Sequence, residues 1–297
     1  MMRFAMGEIL AFILISAGLC QAASLPKGTS FIGFRDGVWN VYLVKDENSP
    51  PQSVKTVSEP RAATFSMNKS AVVYVAADGK IREVDLRSAV DRVLLESDKK
   101  RTFAQPSYNV DGTKLLMVDM KDGRSGDSKK IALFDIIKAG GVIEVTSQPT
   151  SQLEPRFATD QLILYSSVSC TLGCGKIIQE IWRKDIVTET ADQVTLLNAI
   201  ARQPVASSDG KWIYFSSNKA GSYHIWRVAM SGGTPEQVTK GKVTDVSPVV
   251  AHDGRVCFLR TSTNSSGMVC KLTTGEELEM DLPTGVQNIR NLEISVW

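Results

Sequence analysis

Five prolines of the chain, Pro60, Pro106, Pro155, Pro204 and Pro248, each follow a polar residue: Glu59, Gln105, Glu154, Gln203 and Ser247. Asn291, ahead of Leu292, falls in the same phase. Arg61, Arg156, Arg202 and Arg290 lie beside these positions. Carboxylate, amide and guanidinium groups at one equivalent place of a repeated unit would form a polar ring. Such a ring could hold a polar ligand or an inserted peptide segment through charge-assisted hydrogen bonds. The plainer alternative is a solvated channel that holds only water.

Other chemistry finds little support. There are only two histidines, His224 and His252, and neither has a second histidine at ligand spacing. His224 alternates with apolar neighbours and is expected to point outward or between repeats. No cofactor, metal or catalytic group is assigned. A serine-nucleophile elbow is missing: Gly123-Arg124-Ser125-Gly126-Asp127 fails at its last position. A catalytic role would rest on Glu59, Glu154 or the arginines alone. Lys99-Lys100-Arg101 reads as a solvated loop, and a formal charge of +2 gives no nucleic-acid footprint.

Residues 1–22 have the pattern of a cleaved export signal. Arg3 precedes an apolar stretch, Ile9 to Leu19, too short to span a bilayer, and Ala22 and Ala23 follow. Cys20 follows Leu19, a poor match to a lipoprotein signal, so cleavage after Ala22 is preferred over lipidation. The expected location is the periplasm. Cys170, Cys174, Cys257 and Cys270 then remain, an even count that favours disulfides in an exported chain. A hairpin turn at Thr263-Asn264 would bring Cys257 opposite Cys270. A local Cys170–Cys174 bridge is plausible in a loop with two glycines, the alternative being two free thiols.

The elements that must position the ring come from a unit of roughly 45 residues. Its clearest copy runs from Arg202 to Thr239. After the proline comes a short strand. An Asp-Gly turn follows in several copies (Asp111-Gly112, Asp209-Gly210, Asp253-Gly254), and then an apolar strand such as Trp212 to Phe215. Third and fourth strands complete the unit, here Ile225 to Val228 and Glu236 to Thr239. Asp36-Gly37, Asp78-Gly79 and Asp122-Gly123 also read as turns. Four antiparallel strands per unit, with no helical period, indicate an all-β fold, a six-bladed β-propeller over residues 23–297. The N-terminal unit lacks a first strand, and Arg290 to Trp297 supplies one strand with nothing after it. The C-terminal strand is therefore expected to complete the first blade and close the ring.

The copy from Gln203 to Thr239 contains P-x-x-S-x-D-G-K-x-I-x-F-x-S, then I-W-x-V and G-G-x-P-x-x-V-T. It resembles the repeat of TolB-type propellers, with Ser208 where that pattern has a second proline. Other copies are degenerate: Asn109-Val110-Asp111-Gly112, Ser66-Met67-Asn68-Lys69 and Ala158-Thr159-Asp160-Gln161. The resemblance implies a binding or scaffolding propeller that engages an envelope protein or peptide at the channel mouth. TolB carries an α/β domain before its propeller, and this chain is expected to run from the signal directly into blade one. Related propellers include peptidase-linked modules and metal-dependent uronate lyases, and two histidines cannot build the lyase site. The chain is expected to act as a monomer without spanning a membrane.

Overall fold

The structure, a computed structural model, describes residues 23–98, 100–121, 129–170, 173–261 and 266–295. Residues 1–22, read above as an export signal, and Asp122-Gly123 and Thr263-Asn264, read as turns, lie outside the described residues. Among those residues no helix is long and apolar enough to cross a membrane.

The strands form six four-stranded antiparallel sheets. The sheet we call blade I is built from both ends of the chain. Its inner strand is Asn288–Ile294, followed outward by Thr29–Arg35, Val38–Leu43 and Gln52–Val54. The C-terminal strand thus completes the first blade, as the repeat phase predicts. Thr29 pairs with Ile294 and Phe34 with Asn288, so the ends are joined through a full strand ladder. The inner strands of blades II to VI are Ala62–Ser66, Arg101–Tyr108, Gln152–Phe157, Ala201–Ala206 and Thr244–Val250. Each inner strand touches the inner strands of both neighbours, which closes the ring around a central channel.

A blade is apolar on both faces because both faces are covered by other blades. The core is accordingly divided into apolar clusters between adjacent blades. Phe31, Tyr42, Val249, Cys257, Cys270 and Leu292 pack between blades VI and I. Ile32, Leu43, Phe65 and Tyr74 pack between blades I and II. Leu164, Ile213 and Phe215 do the same between blades IV and V.

The turns follow from residue chemistry. Asp209 Oδ1 accepts the Lys211 N–H at 3.1 Å, and Asp253 Oδ1 accepts that of Arg255 at 3.0 Å. Gly112 sits at φ +72°, and a Cβ there would lie 2.6 Å from Ser66 Oγ, so glycine is required on two counts. Cys257 and Cys270 are register partners on neighbouring strands of blade VI and are joined by a disulfide. Cys170 and Cys174 form a second, local disulfide.

Candidate functional site

The polar residue before the proline has a specific backbone role. Gln105, Glu154, Gln203, Ser247 and Asn291 have φ of +51°, +57°, +58°, +55° and +54°. At each of them the inner strand carries a β-bulge, with two residues opposing one on the second strand. A bulge removes a residue from the ladder and leaves its N–H to find another acceptor. The neighbouring blade supplies that acceptor. Gln105 Oε1 accepts the Glu154 N–H at 2.8 Å, and Glu154 Oε2 accepts the Gln203 N–H at 2.8 Å. Gln203 Oε1 in turn accepts the Ser247 N–H at 2.9 Å. Asn291 Nδ2 continues the circuit by donating to the Ala63 carbonyl of blade II at 2.5 Å. The ring's polarity therefore has a structural cause: these side chains fasten four of the six pairs of neighbouring blades.

Blade II departs from the predicted phase. Its inner strand has no bulge, and Ala62 pairs regularly with Val75. Thr64 faces Val73 as Ser107 faces Leu116 in blade III, so Ala63 alone stands where Gln105 and Pro106 stand, and Ala62 corresponds to Ala104. Glu59 and Pro60 lie upstream, ahead of the strand. Glu59 consequently stands outside the ring. Its side chain is 54% exposed and lies 3.8 Å from the Arg290 guanidinium.

The inner strands enclose a cavity of about 270 Å³ at one end of the channel. Ala62, Gln105, Glu154, Gln203, Ser247 and Asn291 line it, together with Arg61, Arg156, Arg290 and Glu293. Glu59 and Arg202 are not among its lining residues. Arg202 instead lies over the Tyr223 ring, 4.9 Å from its centroid.

The arginines occupy two levels. Arg290 directly precedes the ring position on blade I, and Arg61 lies just ahead of the inner strand of the adjacent blade II. Arg61 is exposed, and among the described residues its side chain makes no ion pair or hydrogen bond. Arg290 lies 4.0 Å from the Trp39 ring centroid and donates to the Pro60 carbonyl at 3.0 Å. Desolvation is the largest cause that lowers its guanidinium below the ordinary arginine value; the Arg61 charge adds to it, and Glu59 opposes.

Arg156 sits two residues past the ring position on blade IV, and Glu293 holds the same place on blade I. The two form an ion pair across the channel. Side-chain exposure falls from 39% at Arg290 to 9% at Glu293, so the pair lies at the inner end of the cavity. Burial pushes the Glu293 carboxyl up to about 7, and the Arg156 charge offsets only part of that shift. Sequence reasoning missed Glu293. The signal available was a charge between the apolar residues Leu292 and Ile294.

The histidines lie elsewhere. His224 is buried rather than outward-facing, with Nε2 sharing a 3.0 Å hydrogen bond with Ser222 Oγ. Among the described residues no group of three or more His, Cys, Asp or Glu side chains is placed to hold a metal ion.

No protein-family model matches the chain. An uncharacterized protein of Agrobacterium fabrum is 33% identical over 147 residues, or 46% of this chain. That stretch is 49% of the relative, so the chain spans about half the length of the curated relative it matches. Among solved structures, TolB from Acinetobacter baumannii gives a TM-score of 0.73 at 17% identity, covering 91% of this chain and 66% of that one. A protein assigned as TolB in Agrobacterium tumefaciens gives 0.67 at 17% identity, covering 87% and 90%. An oligogalacturonate lyase in complex with manganese gives 0.62 at 14% identity, covering 86% and 75%. At these identities the likeness is one of fold, and at that level the resemblance to TolB-type propellers holds.

Proposed function

We propose that the chain is a non-catalytic, periplasmic binding propeller that engages a protein segment or polar ligand at the channel mouth. One observation carries this reading. One cavity is lined by Arg61 and Arg290 and by the more buried Arg156–Glu293 pair, with Gln105, Glu154 and Gln203 beside them. A recess with a few convergent polar groups is the usual form of a binding site. The export pattern of residues 1–22, the two disulfides and the fold likeness to TolB support an extracytoplasmic place.

The same scaffold serves a lyase, so the fold alone does not choose between binding and catalysis. The chemistry at the mouth favours binding. Gln105, Glu154 and Gln203 each commit a side-chain oxygen to a blade-to-blade hydrogen bond, and no histidine lines the cavity.

The test is to fill the mouth without touching the arginines or the ring hydrogen bonds. Ala62→Trp adds bulk at a lining position. Affinity capture from an envelope extract should lose a specific partner with Ala62→Trp while the melting temperature stays near wild type. Identical captures from folded wild type and variant would refute the reading.

A further inference from the structure

We propose that the channel mouth takes a carboxylate from an acidic peptide segment, held between Arg61 and Arg290. This rests on the mouth being a binding site and names the chemistry of what enters. Arg61, just ahead of the inner strand of blade II, and Arg290, on the inner strand of the adjacent blade I, both line the cavity. Two like charges side by side on one rim repel, and an anion between them relieves that cost. Arg290 is already oriented by the Trp39 ring and the Pro60 carbonyl, so little freedom is lost when it accepts a ligand. Its Nε–H is buried without a hydrogen-bond partner. Glu59 is a weak competitor, because its contact with Arg290 is long and half exposed.

The surroundings point to a peptide rather than an acidic sugar. None of the residues lining the cavity is aromatic, so no ring is offered for stacking on a sugar face. Turns at the two ends of an antiparallel blade alternate. The turn after the second strand and the linker after the fourth therefore lie at the end where the inner strand begins, the Arg61 and Arg290 end. That end exposes Val38, Val57, Ile177 and Leu196, with Leu196 87% exposed. An arginine rim at the end of the propeller that also exposes these apolar side chains suits an acidic segment flanked by apolar residues.

The probe is a fluorescein-labelled glutamate-rich dodecapeptide, compared with its glutamine counterpart by anisotropy at rising salt. The glutamate peptide should bind and weaken as salt screens the rim, and the glutamine peptide should not bind. Arg61→Gln, an exposed change that leaves the fold intact, should weaken binding by about tenfold or more. Lys211→Gln, at the opposite end of blade V, should leave it unchanged. Equal binding of both peptides, no binding of either, an unchanged affinity in Arg61→Gln, or binding of an acidic oligosaccharide alone would each overturn the proposal. The wider reading fails separately, through the Ala62→Trp capture: if that variant loses its partner while Arg61→Gln keeps it, the mouth binds but not through a carboxylate.

Discussion

Arg156 and Glu293 hold the same register position on the inner strands of opposite blades and pair across the channel. They lie 137 residues apart in sequence. The pair exists only because the C-terminal strand completes blade I. It links ring closure to the inner end of the cavity, and it is where stability should respond to pH.

Glu293 titrates near 7 in the folded protein, above the ordinary carboxylate value near 4.3 expected when unfolded. The folded state therefore holds this proton longer than the unfolded chain. The resulting stability is fully present below the unfolded value and is lost as pH rises through about 7. The urea midpoint of the wild type should fall between pH 5 and pH 8 for this reason. Glu293→Gln should remove that part of the fall. Arg156→Met should enlarge it, because the buried carboxylate then lacks its partner. Parallel pH profiles for all three proteins would contradict the assignment.

Blade-to-blade fastening gives a second expectation. Gln105→Ala removes the acceptor of the Glu154 N–H, and an unsatisfied buried donor costs about 1–3 kcal/mol. Gln105→Glu keeps an acceptor there and should lie closer to wild type. Chemical denaturation separates the two, and equal stabilities would show that the hydrogen bond does not fasten blade III to blade IV.

Removing 288–297 takes the inner strand from blade I and leaves the Thr29–Arg35 edge unpaired. The truncated chain should lose its single cooperative unfolding transition and associate in solution. A melting temperature equal to that of the full chain would mean that closure is unnecessary.

The Cys257–Cys270 bridge joins fully buried residues at a sequence separation of 13. Closing a loop of that size stabilises by about 3 kcal/mol in the chain-entropy model. The Cys170–Cys174 bridge spans a separation of only 4 and should matter less. Comparing Cys257→Val/Cys270→Val with Cys170→Ser/Cys174→Ser by thermal melting tests this, and a larger loss in the second variant would contradict it.

The architecture was legible because most blades repeat local chemistry: a turn aspartate, an apolar second strand, and a polar residue before proline. Those signals are set within a few residues and survive degeneration of the rest. Following them into blade II led to Pro60, because Ala62-Ala63 carries neither the polar residue nor the proline. That blade lacks the bulge that makes both useful, and Pro60 happened to lie nearby. The polar ring was visible, but its cause was not. A side chain that accepts an N–H from the next blade looks, in sequence, the same as one that awaits a ligand. Glu293 was hidden for a different reason. Its counterparts are Thr64, Ser107, Arg156, Val205 and Val249, so no pattern recurs, and only folding reveals that the single acid faces the single base.

The central claim, that the channel mouth engages a partner, is most directly tested by placing a photo-crosslinking residue at position 62 and, separately, at position 211. Irradiation in the intact envelope should yield a discrete crosslinked species from position 62 and none from position 211, which lies at the far end of the propeller. Equal products from both positions, or none from position 62 while the protein remains folded, would contradict the account.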